Sequence, residues 1–318
     1  MKEQVVDSYA QEYPDAEKCR TTLIQEISVL IEENDVVLGV PLEARVKKLE
    51  SILEKIERKP RELNSVSELD DFIGLRIILL FKQDVNKTCD LIKSKFEIIE
   101  EENTANRLGD NQFGYQSNHL IAKFPKSWCN VPSLKGLDRF KIEMQVRTMS
   151  QHIWAAASHK LQYKKESNIP LPLKRAINRV SALLETVDLE FERFNQERDV
   201  YLDKQKENLS DDASLDVDIV RLLCGQLMPP RKHSPNSNFG SLLSELDHFG
   251  VNNVGSFKEL ITHNLSSALD QDIIQYRSNN TGVGYHFTHE GLVRVCLSSM
   301  FGEEYDDYLL EKSRCEEI

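Results

Sequence analysis

The chain has 318 residues, 40% hydrophobic and 29% charged, a balance that supports a buried core, argues against wholesale disorder and suits two domains better than one. Lys and Arg number 40 against 52 Asp and Glu, a formal charge of −12, which argues against a protein that coats duplex DNA or an anionic membrane. No run reaches the roughly 18 apolar residues of a membrane span, and the opening MKEQVVDSYAQEY lacks a signal-peptide pattern. Cys19, Cys89, Cys129, Cys224, Cys296 and Cys315 lie far apart with no C-x-x-C pair, so a cytoplasmic protein with reduced thiols and no zinc site is expected.

Residues 16–33 carry Leu23, Ile24, Ile27, Leu30 and Ile31 at helical spacing, which predicts a first amphipathic helix. After a Gly39–Pro41 break, Leu42, Val46, Leu49, Leu53 and Ile56 predict a second over 42–58, stopped by Pro60. IGLRIILLF (73–81) is β-branched and bounded by polar residues, the mark of a buried strand. A helix over 84–95, a strand over 96–100, a polar loop EENTANRLGDNQ (101–112) and a strand YQSNHLIAKF (115–124) follow. RFKIEMQVRT (139–148) alternates, with Phe140, Ile142, Met144 and Val146 on one face and Lys141, Glu143, Gln145 and Arg147 on the other. Helices are predicted over 149–163 and 173–205. NLSDDAS (208–214) and PPRKHSPNSN (229–238) are linker-like. Short amphipathic helices at 216–227, 240–248, 256–268 and 288–300 precede an acidic tail. Residues 1–205 therefore read as an α+β unit, a mixed sheet flanked by helices, and 206–318 as a smaller, mostly helical accessory domain.

Charge is unevenly placed. Lys123–Lys165 holds nine basic residues against Asp138 and Glu143, whereas Tyr201 to the end holds ten basic and nineteen acidic. A basic stretch within an acidic protein suits a confined anionic ligand such as a nucleotide, although a solvated face explains charges standing alone.

In the predicted helix RVKKLESILEK, Lys47, Ser51 and Lys55 are spaced i, i+4, i+8 and share a face. Each step rises about 6 Å, so long side chains there could converge on one polyphosphate. Arg45 points elsewhere around that helix. Taken alone, the row reads first as a solvated polar face. Asp71 stands at the mouth of the 73–81 strand and Arg76 within it, where a guanidinium needs a partner or a ligand. Were their strands neighbours, Asp71 and Glu143 would bring two carboxylates together, hard oxygen ligands suited to Mg²⁺ with bound phosphates. An ion pair with nearby Lys or Arg explains two carboxylates as well. Tyr115, four residues before His119, could be a base-stacking platform beside a phosphate or ribose contact; ordinary packing at a sheet edge is the alternative.

As an ordered set these segments resemble the synthetase domain of the RelA/SpoT alarmone enzymes. RVKKLESILEKIERK is similar to that family's R-x-K…S-I…K…R-K segment, DFIGLR to its D-x-x-G-x-R strand, FGYQSNH to G-Y-x-S-x-H and IEMQVRT to E-I-Q-[VIF]-R-T. WAAASHKLQYK resembles the W-A…H-K…Y-K helix of the short, synthetase-only members. The resemblance covers about 40–165, with order and spacing intact.

It implies a nucleotidyltransferase-like sheet that moves the β,γ-pyrophosphate of ATP to the 3′-hydroxyl of GDP or GTP, making (p)ppGpp. By matching position, Arg45 and Arg76 would sandwich the adenine, and Lys47, Ser51 and Lys55 would hold the ATP phosphates. Asp71 and Glu143 would be the catalytic pair holding Mg²⁺, with Glu143 also helping to deprotonate the acceptor. Tyr115 would stack on the acceptor base, with His119 and Gln145 lining its pocket. The departures fall on the acceptor side. The basic K-D-Y-I…P-K segment of guanosine-specific relatives is replaced by ENTANRLGDNQ, and Ser158 stands before His159 where short synthetases commonly carry Glu. A toxin-like relative acting on adenosine nucleotides or a tRNA 3′ end therefore remains the nearest alternative. A silent nucleotide-sensing module is the alternative from another class, opposed by the intact Asp71, Glu143 and Lys47. With only about forty residues before the synthetase segment and no histidine–aspartate pattern in them, no hydrolase activity is expected. Homo-oligomers are possible partners, and a membrane or duplex DNA is not expected. Residues 206–318 match no motif, and their scattered histidines, His286 and His289 among them, lack zinc-ligand companions.

Overall fold

The architecture follows from a single face of apolar side chains on each strand. In the computed structural model, residues 2–58, 63–103, 117–160, 171–232, 237–279 and 286–316 are described. Helix α1 (Lys2–Glu32) begins well before the expected 16–33, and Val5, Ala16, Cys19, Leu23, Ile27, Leu30 and Ile31 form its buried stripe.

The expected helix over 42–58 is two elements. Strand β1 (Glu43–Val46) comes first and helix α2 (Leu49–Arg58) second. Leu42, Ala44 and Val46 alternate with Glu43 and Arg45, a period of two that fits an edge strand better than the helical spacing read across the whole segment. Pairing settles the competition, because β1 runs antiparallel to β2 (Ile73–Leu79) with Glu43 opposite Arg76 and Arg45 opposite Gly74.

Helix α3 (Gln83–Lys95) and strand β3 (Glu97–Asn103) follow. β3 runs three residues into the expected polar loop, and 104–112 lies outside the described residues. Strands β4 (Asn118–Lys123) and β5 (Ile142–Thr148) complete a five-stranded sheet of order β1-β2-β5-β4-β3. β2 and β5 are parallel and the other pairs antiparallel. This is the mixed, helix-flanked sheet expected. Ile73, Leu75, Ile77, Leu120, Ala122, Ile142, Met144 and Val146 are buried on one face, the larger of them contributing about 2 kcal/mol each of apolar burial. They join α1, Ile52 of α2 and Val85, Cys89 and Ile92 of α3 in one cluster. On the opposite face Arg76, His119, Glu143 and Gln145 stay half-exposed, while Ile78 and Arg147 are buried.

Helix α4 (Met149–Lys160) leaves β5 directly, and α5 (Leu171–Asn208) follows. Thr148 Oγ1 donates to the buried Asp188 carboxylate of α5 at 2.7 Å. The chain divides into two compact units, 1–195 and 196–318. The division falls inside α5, earlier than the 205/206 boundary read from the sequence.

The second unit is helical, with α6 (Val217–Leu227), α7 (Phe239–His248), α8 (Val254–Asn279), α9 (His289–Phe301) and α10 (Glu303–Glu316). The expected acidic tail is thus largely helix α10. Leu223, Leu242, Phe257, Leu292 and Leu297 lie in a core of their own. Glu245, 1% exposed, accepts from Arg294, Lys312 and the Tyr305 hydroxyl. Lys232 and Asp272 form a buried ion pair, and Asp272 also accepts from the backbone N–H groups of His286 and Phe287. Cys19, Cys89, Cys129, Cys224 and Cys296 are free thiols. No described helix is long and apolar enough to cross a membrane.

Candidate active site

Sheet register builds the site. Across four strands one row reads Glu43, Arg76, Gln145, His119, and the row beside it reads Arg45, Gly74, Glu143, Ile121. Directly opposed residues project to the same side of a sheet, so these side chains crowd the open face while their chain neighbours fill the core. Glu43, Arg45, Gly74, Arg76, Glu143 and Gln145 of these rows, with Arg20 of α1, line a cleft of about 370 Å³, within the range of small-ligand pockets.

Lys47 enters by the same ladder. Its backbone N–H donates to the Phe72 carbonyl at 2.8 Å, which extends the β1–β2 pairing by a step and sets Lys47 beside the turn that holds Asp71. Lys47 Nζ donates to Asp71 Oδ2 at 2.6 Å and Lys55 Nζ, from α2, to the same oxygen at 2.8 Å. The i, i+4, i+8 row is therefore replaced. Lys47 is off the helix, yet it meets Lys55 at one carboxylate. Burial pushes the Asp71 carboxyl up, but the hydrogen bonds and charges of the two lysines outweigh it and hold it below the usual range. Asp71 Oδ1 is buried with no hydrogen-bond partner among the described residues.

On the next strands His119 Nδ1 lies 3.3 Å from Glu143 Oε1. His119 holds the Glu143 carboxyl below the usual range, against the opposing push of burial, with Gln145 helping and the Asp71 charge resisting. Asp71 and Glu143 thus belong to one electrostatic neighbourhood. Arg76 is answered by Glu43 on the paired strand at 3.3 Å, so it has a partner as well as an open side. His152 of α4 titrates below its usual value, through burial first and then Arg147 and Arg76.

Of the residues singled out in the sequence, Arg45, Arg76, Glu143 and Gln145 line the cleft. Lys47, Lys55 and Asp71 form an adjoining cluster, and His119 joins through Glu143. Ser51 lies exposed on α2 and is not among the cleft's lining residues. Tyr115 and the side chain of Ser158 lie outside the described residues. Arg20, Glu43 and Gly74 were not assigned roles from sequence. Arg20 sits on the polar side of α1 and gave no signal, whereas Gly74 is the glycine of DFIGLR and Glu43 alternates within β1.

Among the described residues no group of three or more His, Cys, Asp or Glu could hold a metal. Two carboxylates with an orphaned buried oxygen suit a Mg²⁺ that keeps water and takes substrate phosphates, rather than one caged by protein.

A mixed sheet whose polar face gathers arginines and a carboxylate at a cleft, with two lysines and a second carboxylate adjoining, offers groups of the kind that bind phosphates. Residues 44–168 match the family described as a region found in RelA / SpoT proteins, so this part of the chain is similar to a RelA/SpoT-type synthetase domain. Two curated relatives from Bacillus subtilis (strain 168) are similar to it. GTP pyrophosphokinase YjbM is 29% identical over 155 residues, covering 48% of this chain and 70% of the relative. GTP pyrophosphokinase YwaC is 27% identical over 172 residues, covering 51% and 79%. Among solved structures, that of small alarmone synthetase 1 from Bacillus subtilis is 26% identical, covers 59% of this chain and 94% of its own, and superposes with a TM-score of 0.45.

Proposed function

We propose that this chain transfers the β,γ-pyrophosphate of ATP to the 3′-hydroxyl of GDP or GTP, giving (p)ppGpp and AMP, and that it depends on Mg²⁺. The family match and the two relatives named GTP pyrophosphokinases support the reaction class. The carrying observation is the cluster in which Lys47, Lys55 and Asp71 meet beside Glu143 on the open face.

In this reading Arg45 and Arg76, on adjacent strands and one face, offer guanidinium planes to the adenine. Lys47 and Lys55 bind the polyphosphate, and Ser51, exposed on α2, is read as a further phosphate ligand. Asp71 and Glu143 are the residues that would hold Mg²⁺, which when bound would neutralise charge on the transferring group. The acceptor 3′-oxygen bonds to the β-phosphorus as the bond from that phosphorus to the α,β-bridging oxygen breaks, and AMP departs with that oxygen. Glu143 stands where it can take the hydroxyl proton. Its lowered pKa keeps it anionic, which suits a cation ligand first and a base second. His119 orients Glu143, and His119, Gln145 and Tyr115 belong to the acceptor side. Positioning and charge do most of the work in such a transfer.

The test is incubation with γ-labelled ATP and, separately, GDP, GTP, ATP and tRNA. Label in GDP or GTP supports this reading. Label only in ATP or tRNA would move the acceptor to adenosine nucleotides or a tRNA 3′ end, the direction in which Ser158 points. No transfer to any acceptor, with ATP still bound, would leave a nucleotide sensor.

A further inference from the structure

Three charged groups here compete for few partners. Both ammonium groups lie within 2.8 Å of Asp71 Oδ2, so they are near neighbours of like charge. The one carboxylate oxygen that offsets both belongs to the residue read above as a cation ligand. Lys47 has little access to water, with 17% of its side chain exposed, and so cannot exchange this partner for solvent at low cost. A divalent cation arriving at Asp71 would meet two resident positive charges. A polyphosphate arriving at the lysines would meet a resident negative one. Neither ligand meets an uncompensated charge at this cluster; each supplies the charge that the other displaces.

Resting on the reading of Asp71 as a cation ligand and of Lys47 and Lys55 as phosphate ligands, we propose that Asp71 is the resting counter-ion of these two lysines and that loading is an exchange. The lysines leave Asp71 for the donor polyphosphate as the divalent cation takes their place on the carboxylate. Nucleotide and cation then bind with positive coupling that runs through the lysine–aspartate contacts, over and above the direct ligation of cation by phosphate. Charge balances throughout: two ammonium–carboxylate contacts are replaced by ammonium–phosphate and cation–carboxylate contacts, and no proton need move.

The exchange is tested by binding alone, with calorimetry on the full chain. ATP binding is measured in EDTA, so that no cation is present, for wild type, Asp71→Asn, Lys47→Met with Lys55→Met, and the triple variant. Asp71→Asn frees the lysines, so metal-free ATP should bind about tenfold tighter than to wild type, within the usual span of coupling energies. In the lysine-free background that gain should vanish. If Asp71→Asn tightens ATP equally in both backgrounds, simple charge repulsion is at work and the exchange is overturned while the site reading stands. If removing both lysines leaves metal-free ATP affinity unchanged, the phosphate assignment itself fails, and the exchange with it. A second arm titrates Mn²⁺ without nucleotide, followed by its electron paramagnetic resonance signal. Lys47→Met should tighten Mn²⁺ binding more than Arg45→Met, which removes a cation that makes no contact with Asp71. Equal tightening by the two variants would also overturn the exchange.

Discussion

Gly74 stands directly opposite Glu143 across the parallel pair of β2 and β5, and among the described residues a Cβ built on Gly74 meets no atom within 4 Å beyond its chain neighbours. The space beside the carboxylate is therefore open because β2 carries no side chain there. Its backbone is not in the left-handed region, so alanine is allowed and even favoured in a strand. Gly74→Ala should fold with unchanged or slightly higher stability, yet lose about tenfold or more in kcat/KM, because the methyl enters the cleft where a 1 Å misplacement is already costly. Thermal unfolding and steady-state kinetics on the same preparation check this; a variant with wild-type kinetics would place the substrate elsewhere.

The His119–Glu143 contact predicts a pH effect. A carboxyl depressed below its unfolded value of about 4.3 contributes stability that is present above that value and lost as pH falls through the folded value. His119 is the largest cause of the depression and burial opposes it. In His119→Ala burial gains the upper hand and the Glu143 carboxyl rises. The acid limb of kcat/KM against pH should therefore shift to higher pH, and acid unfolding should begin at higher pH than in wild type. A rate profile from pH 4 to 8 reads the shift, and an unmoved limb would separate Glu143 from catalysis.

Removing a carboxylate separates chemistry from folding. Asp71→Asn or Glu143→Gln should each lower turnover by about a hundredfold or more, the cost of losing one charge-stabilising group. Circular dichroism should show the fold kept in both variants, with melting lowered only by the loss of the ion pairs, since neither side chain belongs to the apolar core. A rate within a few-fold of wild type for either variant would remove that residue from the transition state.

Arg76 allows a similar separation on the donor side. Its pair with Glu43 is exposed, with 37% and 61% of the two side chains accessible, and such pairs are worth about 0–1 kcal/mol. Arg76→Ala should leave the melting temperature nearly unchanged while weakening ATP binding and turnover together. Loss of stability without loss of ATP affinity would make Arg76 a structural residue.

In the second unit Glu245 is the residue to break. Its buried carboxylate ties α7 to Arg294 of α9 and to Tyr305 and Lys312 of α10. Burial pushes its pKa up, but these cations bring it below the usual range. Glu245→Ala should cost about 3 kcal/mol, the usual penalty for breaking a buried pair. Amide hydrogen exchange in the full chain should show lost protection in α7, α9 and α10, with the sheet unit unaffected. Wild-type protection there would mean that the apolar core alone holds these helices together.

Much of the first unit was legible because its strands each bury one face. The alternation in RFKIEMQVRT already separates Met144 and Val146 from Glu143 and Gln145, and β5 divides them that way. The segment 42–58 was misread because Leu42, Val46, Leu49, Leu53 and Ile56 also satisfy a helical period. Four residues are too few for a strand period to compete. Only the ladder to β2 decides for β1, and with it the position of Lys47. In the second unit α8 runs well beyond the expected 256–268, since a helix that packs on others need not carry caps where its amphipathic pattern fades.

By itself, then, the sequence determined most of the order of the elements, which side of β5 is polar, and a set of motifs whose residue types suit nucleotide phosphates. Those are local properties, written in spacing and side-chain chemistry. Tertiary structure alone decided that Lys47 and Lys55 share one oxygen of Asp71, that His119 meets Glu143, and that Gly74 leaves the floor open. Each of these joins residues on different strands or helices, and register and pairing are set by the burial of the opposite face. No spacing along one segment encodes them.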